Sequence, residues 1–108
     1  MATVEKFEEL IAWQKARHNA HEIYELTCLE KFDCDFSLVG QIRKSSGSVM
    51  DNIAEGFDRG GNKEFIQFLY IAKGSLSETK SQLYRAFDRT YNDIILNEKR
   101  IKAEELAK

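Results

Sequence analysis

Residues 49–69 read VMDNIAEGFDRGGNKEFIQFL, and this stretch decides the fold. Val49, Ile53 and Gly56 close an apolar stripe of helical spacing, and Phe65 and Leu69 open another. Between the two stripes, Gly60 or Gly61 can take the left-handed conformation that stops a helix without a Cβ penalty, and Asn62 offers a cap for the next helix. The second helix should end around Phe57 to Arg59. A connection of three or four residues makes the flanking helices antiparallel neighbours.

Working back from this turn, Leu38, Ile42, Ser45, Val49, Ile53 and Gly56 form the stripe of the second helix, capped at Asp35 or Ser37. Ser45, Ser46, Gly47 and Ser48 are poor helix formers, but their small size lets a neighbouring backbone approach. They lack the G-x-S-x-G frame and the nearby histidine that a serine nucleophile needs. Residues 28–36 break the periodicity and form a connecting loop. The first helix spans about residues 6–27, with Phe7, Leu10, Trp13, Ala16, Ala20, Ile23 and Thr27 on one stripe. Glu5, Glu8 and Glu9 sit at its start, where carboxylates favour the helix dipole.

Forward from the turn, the third helix covers about residues 63–90, with Phe65, Leu69, Ala72, Leu76, Thr79, Leu83 and Ala86 as its core stripe. Its first half is apolar all round the cylinder, and a helix of that kind is buried on more than one side. Phe65, Ile66, Phe68 and Tyr70 are therefore the candidate oligomer-interface residues. A second turn is expected around residues 91–97, with Asn97 capping a short fourth helix anchored by Ile101 and Leu106. The predicted architecture is all-α, an up-and-down four-helix bundle with a short fourth helix, in one domain over residues 1–108.

Composition supports that fold class. The chain has 43% hydrophobic and 31% charged residues and no proline, so nothing forbids helix nearly throughout. The net charge of −2 argues against strong whole-molecule attraction to nucleic acid, but the charge is unevenly spread. Residues 1–39 carry four basic and eight acidic side chains, and residues 40–90 carry eight basic and six acidic. A polyanion-facing surface would lie in that middle region, with Arg43, Lys44, Arg59, Lys63, Lys80, Arg85 and Arg89 as candidate phosphate contacts.

Catalytic and cofactor motifs are not found. His18 and His21 lack the Glu-x-x-His pattern of di-iron bundles and read as solvent-facing. Asp51 and Glu55 share a helix face, and Glu55 pairs naturally with Arg59 at i+4. Gly60-Gly61-Asn62-Lys63 lacks the P-loop frame and reads as a simple turn. Cys28 and Cys34, the only cysteines, have neither CxxC spacing nor a companion histidine and read as reduced thiols. No catalytic residue, metal site or cofactor is predicted. With no signal peptide and no apolar run of membrane-spanning length, a cytoplasmic location without membrane partners is expected.

Five short motifs occur together in order: Phe7-Glu-Glu-Leu-Ile-Ala-Trp-Gln-Lys-Ala16, Gln41-Ile-Arg-Lys-Ser45, Asn52-Ile-Ala-Glu-Gly56, Glu64-Phe-Ile-Gln-Phe-Leu69 and Ala72-Lys-Gly-Ser-Leu76. With these motifs the chain resembles a family of bacterial four-helix-bundle proteins, the 23S rRNA intervening-sequence proteins, over residues 7–91. The resemblance implies a closed bundle assembling with itself into a five-fold ring, a homo-pentamer of undefined biochemical role. It further implies an association with RNA, or an accessory role beside a reverse transcriptase, as in the related accessory proteins of diversity-generating retroelements.

Overall fold

The structure, a computed structural model, describes residues 3–29, 32 and 35–106, with side chains up to residue 89. The described residues form a 3₁₀ turn at Phe7–Glu9 and three long helices: α1 (Ile11–Thr27), α2 (Phe36–Asp58) and α3 (Asn62–Leu106). The all-helical prediction holds. Helix α2 is the middle element and packs against both α1 and α3.

The stripe that organises α2 is buried in full: Leu38, Ile42, Ser45, Val49, Ile53 and Gly56, with Ser46 beside them. Asp35 caps this helix, its Oδ1 accepting from the Leu38 N–H at 3.3 Å. Ala16 of α1, Val49 and Ile53 of α2 and Ala72 of α3 form one core cluster, with Leu10, Trp13 and Met50 packed at its edge. The α2–α3 turn follows the predicted chemistry, with Gly60 at φ +83°. Its cap lies one residue earlier than expected. The Gly61 carbonyl accepts the first helical bond, from Phe65 N–H at 3.0 Å, and Asn62 is already helical. The Glu64 carboxylate lies against Gly61, so the start of α3 already faces a negative group of its own chain.

Two boundaries differ from the sequence reading. The first helix does not start at residue 6, because Leu10 is extended at φ −69° and ψ 125°. That break brings the Phe7 and Trp13 rings edge to face at 5.2 Å, a contact that six residues of continuous helix would place on different faces. Gln14 Nε2 donates to the Glu8 carbonyl at 2.9 Å across the break. Glu8 and Glu9 therefore belong to the 3₁₀ turn, and the first turn of α1 carries no acid.

The second correction concerns the four-helix architecture. The turn expected at residues 91–97 is helical, and α3 runs unbroken for 45 residues, about 67 Å at the standard rise. Residues 91–106 contain neither glycine nor proline, and asparagine alone is too weak a stop to reverse the chain. The described residues thus form three helices rather than four. Helix α3 sets the long axis of a molecule measuring 73 × 23 × 21 Å. The side chains of Asn97, Ile101 and Leu106, expected to cap and anchor a fourth helix, lie outside the described residues, as does Cys34.

Candidate oligomer and nucleic-acid surfaces

The four candidate interface residues divide between two faces of α3. Phe65 and Phe68 are half-buried and turn toward α2. Phe65 meets Phe57 edge to face at 5.9 Å, and a Cβ on Gly56 would fall on the Cβ of Phe68. At Gly56 the two helices are therefore in direct contact with no room for a side chain; Gly47, in the run of small residues, has nothing near its Cβ position. Ile66 and Tyr70 turn outward, 53% and 70% exposed. Ile71, Tyr84 and Phe87 are also exposed, as are Leu69 and Leu76 of the predicted core stripe. An isolated apolar residue at the surface is ordinary, but several large ones on a single helix mark an interaction surface.

The serine run has a different task from catalysis. The Ser45 hydroxyl is buried, 2.7 Å from Thr79 Oγ1 and 2.7 Å from Gln82 Oε1. Gln82 Oε1 only accepts, so Ser45 donates its single proton there, and Thr79 Oγ1 shares its own between Ser45 Oγ and the Ser75 carbonyl, 3.0 Å away. One turn away, Ser75 Oγ donates to Ser48 Oγ at 3.0 Å. These groups form a polar seam locking α2 against α3. Spacing identified the serines and Thr79 but missed Gln82, because a glutamine carries no apolar signal.

The seven candidate phosphate contacts do not form one surface. Arg43 donates from Nε to Thr27 Oγ1 at 2.8 Å and from Nη2 to Cys28 Sγ at 3.7 Å, its guanidinium stacked 4.4 Å above the Tyr24 ring. Arg59 pairs with Glu55 at 2.9 Å, as the i+4 spacing indicated, and lies over the Phe68 ring. Arg85 donates to Gln41 Oε1 at 3.2 Å, and Arg89 pairs with Asp35. Arg59 and Lys63 flank the glycine turn, whereas Arg85 and Arg89 lie by the start of α2, some 30 Å away along its axis. All four arginines are engaged by groups of their own chain. Lys44, Lys63 and Lys80 are exposed.

His18 and His21 are solvent-facing, each with Nε2 close to the carboxylate of a glutamate one turn on: Glu22 at 2.9 Å and Glu25 at 2.8 Å. Among the described residues no three His, Cys, Asp or Glu side chains gather as a metal site, and no helix is long and apolar enough to cross a membrane.

Fold and surfaces together define a helical-bundle protein with an exposed apolar helix face. The family model described as 23S rRNA-intervening sequence protein matches residues 8–108, and the chain belongs to that family. No curated protein and no solved structure matches it.

Proposed function

We propose that the chain is a non-enzymatic accessory protein of the cytoplasm that works as a homo-oligomer, a ring of five in keeping with the resemblance, beside RNA. The observation that carries this reading is the outward face of α3, where Ile66 and Tyr70 stand exposed on the most apolar part of the chain. A second copy covering that face would remove the apolar surface from water at roughly 25 cal/mol per Å². Family membership supports the RNA setting through its name alone.

Light scattering coupled to gel filtration tests the assembly. The parent chain should elute as an oligomer at micromolar concentration, and Ile66→Ser with Tyr70→Ser should yield folded monomer. A monomeric parent, or an oligomer indifferent to both changes, refutes the reading.

Direct binding to nucleic acid is the second reading, favoured by the exposed ammonium groups of Lys44, Lys63 and Lys80. Its signature is affinity for structured RNA that falls steeply with salt, and absence of binding at low salt removes it.

A further inference from the structure

Helices α1 and α3 each turn one face away from the rest of the bundle, and α2 packs against both, so the two outer faces lie on different flanks. On α3, Ile66, Tyr70, Lys73, Ser77, Lys80 and Tyr84 recur at alternating spacings of four and three, opposite the residues that meet α2. All six are exposed and none is acidic. On α1, Ile11, Glu22 and Glu25 are exposed on the side turned from buried Ala16 and Ile23, and exposed Leu29 follows just past the helix end. Spacings of this kind make a seam along which another helix can lie.

The heights of these residues along the rod match. Helices α1 and α3 run parallel, since each is antiparallel to α2, and Ala16 of α1 shares a core cluster with Ala72 of α3. Counted from that pair, Ile11 stands level with the Ile66–Tyr70 turn, Glu22 and Glu25 bracket the height of Lys80, and Leu29 stands beside the height of Tyr84. A cyclic assembly whose axis lies along the rods relates neighbours by rotation without shift. Residues of equal height then face one another across its interface.

We infer that the outer face of α1 in one copy packs lengthwise on the outer face of α3 in the next, with Glu22 and Glu25 around Lys80. Ile11 then meets Ile66 and Tyr70 at one end, and Leu29 meets Tyr84 at the other. This rests on the oligomeric reading above and deepens it by naming what covers Ile66 and Tyr70. A second α3 is the wrong cover, because two such faces set Lys73 and Lys80 against the same lysines in either direction. Each copy offers one face of each kind, so the contact is head-to-tail and closes as a ring when the rotation between copies permits.

Substitutions on the full chain test it, with light scattering over a series of concentrations. Ile11→Ser with Leu29→Ser leaves Ile66 and Tyr70 in place, yet should raise the concentration for half-assembly by roughly tenfold or more. Lys80→Glu alone, and Glu22→Lys with Glu25→Lys, should each raise it by roughly tenfold, since attraction is lost and repulsion replaces it. The chain carrying all three charge changes should return to within about threefold of the parent. Circular dichroism confirms that each variant is helical.

Assembly unmoved by Ile11→Ser with Leu29→Ser, or charge reversals that do not rescue one another, overturns the inference. If that assembly still falls apart with Ile66→Ser and Tyr70→Ser, the oligomeric reading stands with another surface as the cover. A monomeric parent removes both.

Discussion

The two ends of the α2–α3 seam hold together by different means. Near the turn, Gly56 admits Phe68 to direct backbone approach, with Phe65 and Phe57 closing the sides. A few turns away, Ser45, Thr79 and Gln82 meet in a buried hydrogen-bonded set. The first end depends on shape, and any added atom collides. The second depends on pairing, and a removed atom strands a polar group. A shape contact tolerates sliding along the helix poorly, and a hydrogen-bonded set does not tolerate it at all. Together they fix the register of the two helices.

Three substitutions would break or sharpen that contrast. Gly56→Ala should have the largest effect. Alanine favours a helix interior by ~1 kcal/mol over glycine, yet the clash with the Phe68 Cβ should turn this into a net loss of about 2–3 kcal/mol. Urea unfolding at fixed protein concentration measures it, and a stabilised variant would deny the close approach. Ser45→Ala should follow, at about 1–2 kcal/mol, because Gln82 Oε1 loses its donor inside the seam. Thermal unfolding of Ser45→Ala beside Ser45→Ala with Gln82→Leu tests the pairing, since removing both partners should recover part of the loss. Gly47→Ala should be smallest and opposite in sign, a gain of about 0.5–1 kcal/mol, because nothing stands near its Cβ position. A loss there would place the tight contact at the wrong glycine.

The sequence stripe of α2 was legible to the residue, since a helix between two neighbours must bury one continuous line of side chains. A glycine stop at Gly60 or Gly61 was readable too, because few residues adopt positive φ without strain, and the structure places it at Gly60. Less legible was the break at Leu10, whose extended backbone serves the Phe7–Trp13 contact and leaves no mark on hydrophobic spacing. The course of α3 beyond residue 90 was misread for a related reason. Asn92 and Asn97 resemble caps, but without glycine or proline the helix has no need to stop. Among site residues, periodicity marked Phe65, Ile66, Phe68 and Tyr70 as a group yet could not divide inward from outward members. That division depends on where Gly56 sits on the opposing helix. The Glu55–Arg59 pair was visible in its i+4 spacing, but the other basic residues were visible by type alone; that Thr27, Gln41 and Asp35 engage Arg43, Arg85 and Arg89 is a matter of tertiary packing.

The contacts across the α2–α3 turn are nested in sequence. Phe57–Phe65 lies innermost, then Gly56–Phe68, then Ser48–Ser75 at a separation of 27 residues, Ser45–Thr79 at 34, Ser45–Gln82 at 37 and Gln41–Arg85 at 44, with Asp35–Arg89 outermost. Once an inner pair has formed, the next need close only a few further residues of loop, so each step carries little additional entropy. The hairpin is thus built to zip outward from Gly60, and its Asp35–Arg89 end is the last part to form and the first to open.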